Sequence, residues 1–209
     1  MSKIIVFGAG GRVGRLVVAE ALARGHQVTS VVRDPARHPD LPGQVVTGDV
    51  TDAASVAALV PGHDVAVSTV YDVSADPSAI YTAAAKALAA VPGVRVLVLG
   101  IAVLLESAPG VRLMDAPEFP AEYKPFCLGH LAGTQALAQT EGLDWLVLSP
   151  IGEFDFEAGR SGHRIDGGLV APGWPRTEGA LSGLDFVAAV VEEIETPRHH
   201  GKQVAVYPV

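Results

Sequence analysis

The sequence has few charges, few aromatic side chains and a single cysteine. Only 18% of its 209 residues are charged and 6% are aromatic, whereas 49% are hydrophobic. The core must therefore consist mainly of aliphatic side chains, and the composition excludes an intrinsically disordered chain. No apolar run reaches the roughly 20 residues that a membrane-spanning helix requires. These absences predict a soluble protein of about one domain.

Basic residues are scarce as well. The chain has 15 Lys and Arg residues against 23 Asp and Glu residues, which gives a formal net charge of −8. No segment concentrates positive charge as binding to a nucleic-acid backbone would require. Cys127 has no second cysteine with which to form a disulfide, and the first seven residues resemble a strand rather than a secretory signal. We therefore expect a cytoplasmic protein with a small-molecule partner, and neither a nucleic acid nor a membrane as partner.

Short apolar runs alternate with stretches of helical periodicity along the chain. Runs of this kind are typical of parallel strands that are buried on both faces. The predicted strands are 4–7, 28–32, 45–47, 64–70, 94–99, 145–148 and 203–206, and the predicted helices are 13–24, 53–60, 78–91, 126–140 and 182–195. Their alternation predicts one doubly wound α/β domain, a Rossmann fold, over residues 1–209. We expect residues 101–124 to be irregular and residues 151–180 to form a small cap over the carboxyl edge of the sheet.

A glycine-rich turn separates the first predicted strand from the first predicted helix. Gly8, Gly11 and Gly14 follow a G-x-x-G-x-x-G spacing. A dinucleotide pyrophosphate needs a tight turn, a backbone that it can approach without a Cβ in the way, and the N–H groups of a helix N-terminus. This turn offers all three, although a merely tight turn is the alternative. The predicted cofactor contacts of the turn are Gly8, Gly10, Gly11, Arg12, Val13 and Gly14.

The end of the second strand predicts which dinucleotide binds. Arg33 lies 19 residues after Gly14. At that distance an acidic residue would hold a ribose 2′-hydroxyl, whereas an arginine accommodates a 2′-phosphate. Arg12, in the glycine turn, is expected near the same phosphate, so the sequence favours NADP(H) over NAD(H). Asp34 leaves NAD(H) open, because a strand one residue longer would place that carboxylate at the ribose. Arg33 would then be a solvated strand end.

Two further strand ends are expected at the same edge of the sheet. Asp49 follows the third strand and is a candidate acceptor for the exocyclic amine of adenine, with Val50 packed on the ring. A purely local role for Asp49 in its own loop is equally compatible with the sequence. Ser68 and Thr69, at the end of the fourth strand, are expected to face the same cleft, with ordinary strand termination as the alternative.

Together these features resemble the atypical short-chain dehydrogenase/reductases, and in particular their NmrA-like NAD(P)H-binding branch. The resemblance rests on the glycine turn, on Arg33 and Asp49 and on residues 144–150, and it spans nearly the whole chain. Members of that branch are described as NAD(P)H-dependent quinone, flavin or azo reductases, or as redox-sensing regulators. The resemblance implies a Rossmann fold. It also implies cofactor contacts at Gly8, Gly11, Arg12, Gly14, Arg33 and Asp49.

The sequence departs from the wider superfamily at the catalytic pair. That superfamily uses Tyr-x-x-x-Lys, in which the lysine lowers the pKa of the tyrosine. Here Tyr81 and Lys86 are five positions apart and point to different sides of a helix, and Tyr123 is adjacent to a lysine. Relatives often carry small residues beside the nicotinamide after the fifth strand, whereas residues 101–105 read Ile-Ala-Val-Leu-Leu. We expect a bulky apolar wall there, and Tyr123 is the best remaining candidate for a catalytic phenol.

Other residues with reactive or metal-binding side chains have simpler explanations. His130 is interpreted as a packing or surface residue of its helix, and Cys127 as a small buried hydrophobe. His199 and His200 are expected in a solvated loop, and the sequence identifies no set of metal ligands around them. Three aromatic residues either line a substrate pocket or are buried in the cap: Phe154, Phe156 and Trp174.

The leading functional prediction is an NADPH-dependent reductase that transfers a hydride to a flat acceptor such as a quinone or a flavin. Such a reaction needs no strong side-chain acid, because the acceptor can take its proton from water while the protein supplies position. The alternative is a non-catalytic, NADP(H)-binding redox-sensing regulator, which the absence of the Tyr/Lys pair keeps open. A sugar-nucleotide epimerase or dehydratase ranks third, because it usually depends on that pair.

Overall fold

The computed structural model describes residues 1–71, 76–170 and 179–209. In chain order the strands are β1 (Lys3–Phe7), β2 (Gln27–Val32), β3 (Gln44–Thr47), β4 (Val65–Ser68), β5 (Arg95–Leu99), β6 (Glu106–Ala108), β7 (Val111–Arg112), β8 (Trp145–Pro150), β9 (Glu153–Asp155), β10 (His163–Asp166), β11 (Ala180–Ser182) and β12 (Lys202–Pro208). The α-helices are α1 (Arg12–Ala23), α2 (Ala53–Leu59), α3 (Pro77–Ala89), α4 (Lys124–Ala138) and α5 (Gly183–Glu195). No helix within the described ranges is long and apolar enough to cross a membrane.

Eight strands form the main sheet in the order β3-β2-β1-β4-β5-β8-β12-β10. All neighbouring pairs are parallel except β10 with β12. The strand order reverses at β1, because the chain proceeds outward to β3 and then returns to the other side of β1 with β4. In sheets of this kind ligands bind outside the carboxyl ends of the strands at that switch point. The loops that follow β1 and β4 flank this crevice.

Both faces of the sheet are covered by helices. In β1, Ile4 and Val6 belong to the core that packs under α1 and α5, whereas Ile5 and Phe7 belong to the core under α2, α3 and α4. All four side chains are at most 1% exposed. Because successive side chains of a strand point to opposite faces, this near-continuous apolar run is what a strand buried on both sides requires. The doubly wound α/β architecture predicted from the sequence is confirmed.

The predicted helices and strands are present, with ends shifted by one or two residues in most cases. Asp52 caps α2 by accepting a hydrogen bond from the backbone N–H of Ala54 at 2.9 Å. Residues 101–124 contain more regular structure than we predicted. They include the antiparallel pair β6 and β7 and three single helical turns. Elements this short lack a periodic sequence signal.

Residues 151–180, for which a cap over the carboxyl edge stays a prediction, contain strands with two different partners. β9 pairs with β11 in a small parallel sheet, but β10 pairs antiparallel with β12 and extends the main sheet by one edge strand. The side chains of β10 alternate between half-buried and exposed, so the segment lacks the apolar run by which the central strands were found. Trp174 lies outside the described residues.

Candidate cofactor site

The glycine-rich turn lies directly after β1, at the crevice. Gly8 has a φ of +77°, a conformation that favours glycine. A Cβ on Gly8 would lie 2.8 Å from the side-chain oxygen of Thr69. The N–H of Gly11 donates to the carbonyl oxygen of Gly8 at 2.9 Å and closes the turn. The chain therefore reverses tightly between β1 and α1, as the spacing predicts.

Gly11 and Gly14 have different structural roles. A Cβ on Gly14 would collide with the carbonyl oxygen of Gly8 and would lie 2.9 Å from the Cα of Ala9, so α1 packs onto the turn only because Gly14 has no side chain. A Cβ on Gly11 would meet only the Gly8 oxygen, at 3.2 Å, and Gly11 is exposed. Gly14 therefore serves the packing of the fold, whereas Gly11 leaves open space at the helix start.

The N–H groups in the first turn of α1 have no partner among the described residues. Within these residues no side chain caps the helix, and its first turn contains no acidic residue. Uncapped N–H groups together with the helix dipole favour an anion such as a pyrophosphate. The side chain of Val13 packs against the core, so this residue offers only its backbone. The residues present thus fit the phosphates of a dinucleotide.

Thr69 fastens the end of β4 to the turn. Its backbone N–H donates to the carbonyl oxygen of Phe7 at 3.0 Å, and its hydroxyl lies 3.0 and 3.1 Å from the carbonyl oxygens of Phe7 and Gly8. Ser68 is only 5% exposed. The structure therefore brings Thr69 to the crevice in a supporting role, while Ser68 is buried within the sheet.

Arg33 and Asp34 follow β2 with different environments. Arg33 is exposed, and within the described ranges its guanidinium makes no hydrogen bond or ion pair. Asp34 caps the helical turn Pro35–Arg37 by accepting the N–H of Ala36 at 3.1 Å. An Asx cap of this kind orients the carboxylate toward its own loop. Arg33 is therefore the freer of the two side chains to meet a ligand.

Asp49 forms local hydrogen bonds, and the side chain of Val50 packs in the core. One carboxylate oxygen of Asp49 accepts hydrogen bonds from the N–H of Thr51 at 2.9 Å and from its hydroxyl at 2.7 Å. The N–H of Asp49 donates to the hydroxyl of Ser55. Val50 is 4% exposed and belongs to the core below α2. The local role considered for Asp49 is thus present, and a role toward adenine stays a prediction for both residues.

Arg12 joins the glycine turn to the segment after β9. Its guanidinium lies 4.0 Å from the centre of the Phe156 ring, which is a cation–π distance. Phe156 in turn meets Phe154 edge-on at 4.7 Å between ring centres, and Phe154 meets Phe186 of α5 at 5.4 Å. Phe154 is therefore a packing residue, whereas Phe156 lies beside the candidate cofactor site.

A buried carboxylate anchors this segment to α5. Asp185 is 2% exposed and accepts hydrogen bonds from the N–H of Ser161 at 2.8 Å and from the hydroxyl of Ser182 at 2.8 Å. Burial by itself favours the neutral acid, but these hydrogen bonds outweigh it and lower the pKa of Asp185 below its ordinary value. Ser182 caps α5 by accepting the N–H of Asp185 at 3.0 Å, and the carboxylate of Asp185 thus joins this helix start to the loop at Ser161.

The candidate catalytic phenol stands apart from any polar partner. Tyr123 lies in a helical turn just before α4 and is 59% exposed. Among the described residues, none donates to or accepts from its hydroxyl. Tyr81 and Lys86 on α3 are buried and exposed respectively, which confirms that they do not face each other. Within the part of the chain that the structure describes, Tyr123 therefore has no hydrogen-bond partner and Tyr81 has no lysine beside it on its face of α3.

The apolar stretch after β5 does not form the wall that we expected. Val103 and Leu104 are 3% and 5% exposed and pack with Met114, Phe119 and Cys127 in a cluster of their own. Their side chains are thus turned into protein, because Met114, Phe119 and α4 cover them. Ile101 is the only bulky member of residues 101–105 that stays partly exposed.

Two residues of α4 are confirmed as packing residues. Cys127 is 3% exposed, and burial raises the pKa of its thiol. His130 is 6% exposed and stacks on Tyr81 with ring centres 3.8 Å apart. Desolvation lowers the pKa of His130 to about 4, and its Nε2 is buried without a hydrogen-bond partner among the described residues. Its imidazole is therefore neutral at physiological pH.

The expected solvated loop at His199 and His200 is more structured than predicted. The Nδ1 of His199 lies 2.7 Å from the carboxylate of Glu193, which is 1% exposed, and His200 lies 2.7 Å from Asp144. Burial favours the neutral acid, but hydrogen bonds from His199 and the neighbouring backbone lower the pKa of Glu193. This network fastens the end of α5 at the amino edge of the sheet.

Two depressions of about 350 and 480 Å³ also lie at the amino edge. The first includes Lys3, Gln27 and His63, and the second includes Arg95 and Asp144. Both are on the side of the sheet opposite the glycine turn. They therefore do not contribute to the candidate cofactor site.

Arg15 and its partners beside the glycine turn were not predicted as site residues from the sequence. Arg15 of α1 contacts Gly10, His38 and Asp40. Its hydrogen bonds to Asp40 hold the pKa of that carboxyl below its ordinary value. The only sequence signal was an arginine directly after Gly14, and nothing in the pattern indicated its partners in the loop after β2.

The fold and this site define an NAD(P)H-binding protein with a Rossmann-like fold. Residues 8–194 match a family described as NAD(P)H-binding, and the chain belongs to that family. It is 30% identical over 210 residues to the uncharacterized protein YwnB of Bacillus subtilis, covering 98% of this chain and 97% of YwnB.

Solved structures with the same fold cover almost the whole chain. A protein from Burkholderia pseudomallei is 34% identical, with a TM-score of 0.84 and 99% of each chain covered. A candidate NADH-flavin reductase from Streptococcus pneumoniae is 23% identical, with a TM-score of 0.83 and both chains covered in full. The second likeness shows the fold alone.

Proposed function

We propose that this protein is an NADPH-dependent reductase of flat acceptors such as quinones or flavins, within the NmrA-like branch of the atypical short-chain dehydrogenase/reductases. One observation carries the proposal: the uncapped start of α1 beside Gly11 lies at the switch point, where the free guanidinium of Arg33 follows the neighbouring strand β2. NADPH bound at this place supplies a hydride to the acceptor.

Each part of the site has a role that follows from its chemistry. The N–H groups of α1 bind the pyrophosphate, and the absent side chain of Gly11 lets it approach. Arg12 adds positive charge at the same helix start. Arg33 pairs with the 2′-phosphate, since the carboxylate of Asp34 is engaged as a cap. This division of roles supports NADPH over NADH.

The acceptor class is inferred from the environments of Tyr123 and His130, the two candidate proton donors considered among the described residues. Tyr123 is exposed, and His130 is neutral and buried within an aromatic cluster. A quinone or flavin can take its proton from water, so the protein needs only to position and shield the reacting atoms. The S. pneumoniae protein of the same fold is described as a candidate NADH-flavin reductase, which further supports flavins among the acceptors to be tested.

The test combines a binding measurement with a turnover measurement on the same protein. We expect calorimetric titration to show NADPH binding tighter than NADH. We also expect NADPH oxidation, followed by the loss of absorbance of the reduced nicotinamide, with at least one acceptor from a panel of quinones, flavins and azo dyes. NADPH binding without turnover on any acceptor would contradict the reductase and favour the non-catalytic regulator. No binding would contradict both.

A further inference from the structure

The imidazole of His38 occupies the space that glycine leaves at position 10. A Cβ built on Gly10 would lie 2.5 Å from Nε2 and 2.8 Å from Nδ1 of His38, and Cε1 would be closer still. The N–C–N edge of the ring therefore lies against the backbone of the glycine turn. His38 belongs to the loop after β2, five residues beyond Arg33, and is half-buried. The absence of a side chain at Gly10 thus makes room for the imidazole of His38.

Arg15 fixes the protonation pattern of this histidine. Its guanidinium nitrogen lies 3.2 Å from Nδ1 of His38, and the same guanidinium binds both carboxylate oxygens of Asp40 at 3.0 and 3.3 Å. A third partner of Arg15 is the carbonyl oxygen of Gly10, which accepts a hydrogen bond from Nε at 3.3 Å. An arginine only donates hydrogen bonds, so Nδ1 must accept. The neutral ring then carries its proton on Nε2.

The Nε2–H group of His38 is a hydrogen-bond donor without an acceptor within the described residues. Among the described residues, none accepts a hydrogen bond from Nε2 of His38. The ring extends from the loop after β2, which also carries Arg33, to the glycine turn after β1. A dinucleotide that binds at the switch point passes its adenosine ribose between these two loops. An oxygen acceptor is therefore expected beside Nε2 when the cofactor is bound.

We propose that His38 is a specificity-determining residue whose Nε2–H donates to the oxygen substituent on C2′ of the adenosine ribose, and that Arg15 is its positioning residue. The inference rests on the cofactor site proposed above. With NADPH that substituent is a phosphate, which adds charge to the hydrogen bond. With NADH it is a hydroxyl, so the contribution is smaller.

The experiment compares two amides at position 38. Glutamine can place an N–H where Nε2 of histidine lies, whereas asparagine reaches only to the place of Nδ1. We expect His38→Asn to weaken NADPH binding roughly 10- to 100-fold, the range for one hydrogen bond to a charged group, and to weaken NADH binding less. His38→Gln is expected to stay within about threefold of wild type. His63→Gln, a half-buried histidine at the opposite edge, is the control for a general histidine effect.

A double-mutant cycle between Gly10 and His38 tests whether the imidazole contributes to binding from its position against Gly10. Gly10→Ala is expected to expel the imidazole and to lower the NADPH/NADH affinity ratio. His38→Asn should then lower the ratio no further in the Gly10→Ala background. Thermal unfolding without cofactor checks that each variant is folded.

Several outcomes would overturn the inference. Equal losses for NADPH and NADH in His38→Asn would show a structural role, and tighter binding would show that the ring obstructs the site. Unchanged NADPH binding would remove His38 from the site while leaving the proposed function intact. Failure of the wild type to bind either dinucleotide would overturn the site and this inference together.

Discussion

The guanidinium of Arg12 lies 4.0 Å from the centre of the Phe156 ring and joins the start of α1 to the segment after β9. The Phe156 ring packs closely against the backbone of Gly183. A Cβ on Gly183 would lie 3.3 Å from the ring, so the absence of a side chain there permits this packing. The packed ring therefore restricts the position of the Arg12 guanidinium. A fixed charge beside the uncapped helix start favours phosphate binding more than a freely moving one does.

This contact predicts a coupling between Arg12 and Phe156 in cofactor binding. Phe156→Leu keeps the bulk but removes the aromatic face, and we expect it to weaken NADPH binding about 2- to 5-fold, as loss of an exposed cation–π contact implies. Phe156→Tyr retains the ring and serves as the control. In an Arg12→Gln background Phe156→Leu should have no further effect. The same loss in both backgrounds, measured by calorimetry, would show that Phe156 acts independently of Arg12.

Gly11 and Gly14 predict different phenotypes on substitution. Gly11→Val should abolish NADPH binding in a folded protein, because the new side chain occupies the open space at the helix start. Gly14→Ala should instead lower the free energy of unfolding by about 1–3 kcal/mol, since its Cβ collides with backbone that cannot move away. Urea unfolding and calorimetric titration of both variants separate the two effects. A folded Gly11→Val variant with normal affinity would exclude the turn from the site.

Arg33 predicts the choice of dinucleotide. Arg33→Asp should weaken NADPH binding by about 1.5–3 kcal/mol through loss of a charge-assisted hydrogen bond, with further loss from repulsion, and should leave NADH binding less affected. Both affinities must be measured at one ionic strength, because exposed charges are screened by salt. Arg37→Asp, a second exposed arginine of the same loop, provides the comparison for a general charge effect. A wild type that already prefers NADH would show that the role assigned to Arg33 is wrong.

The exposed Tyr123 predicts a weak effect on catalysis. Any reductase activity should survive Tyr123→Phe with less than about a tenfold loss in kcat/KM, whereas removal of a true general acid typically costs 10²- to 10⁴-fold. The reason is that Tyr123 is 59% exposed and that no described residue forms a hydrogen bond with its hydroxyl. Steady-state kinetics with one active acceptor measure the effect. A thousandfold loss in a variant that still binds NADPH would identify Tyr123 as the acid.

The buried His130 predicts a dependence of stability on pH. Its pKa in the folded protein is about 4, below the ordinary value of 6.5, so the unfolded chain binds more protons between these values. The contribution to stability is therefore complete above about pH 6.5 and is lost as the pH falls toward 4. It amounts to about 3 kcal/mol.

The variant His130→Leu isolates this contribution, because leucine is similar in size and does not titrate. We expect urea unfolding to show a smaller decrease in stability between pH 7 and pH 4.5 for His130→Leu than for wild type. Titration of the His130 ring by NMR in the folded protein gives the pKa directly. Equal pH dependence of the two proteins would contradict the assignment of this loss to His130.

The helices, most strands and the glycine turn could be predicted because their signals are local. Ile4–Phe7 is apolar on both faces, Asp52 caps the helix that follows it, and Gly8 permits the backbone conformation of its own turn. Each of these requirements is met by residues close in the chain. The position of Arg33 at the end of β2 follows from the same kind of evidence.

The direction of the apolar side chains after β5 could not be read in this way. Val103 and Leu104 were expected beside the nicotinamide, yet they pack against Met114, Phe119 and Cys127. A hydrophobic residue in an irregular segment has no periodicity that assigns it to a face. Only the packing of Met114, Phe119 and α4 around the segment determines which surface it covers.

The sequence by itself determined the α/β alternation, the tight turn at Gly8–Gly14 and the placement of a basic residue at the end of β2, since these depend on propensity and spacing along a few residues. The tertiary structure alone decided that His38 fills the space beside Gly10, that Arg15 orients its ring, and that Phe156 lies under Arg12. These contacts join segments distant in the chain. They depend on how the loops and helices pack together, for which no local pattern carries the information.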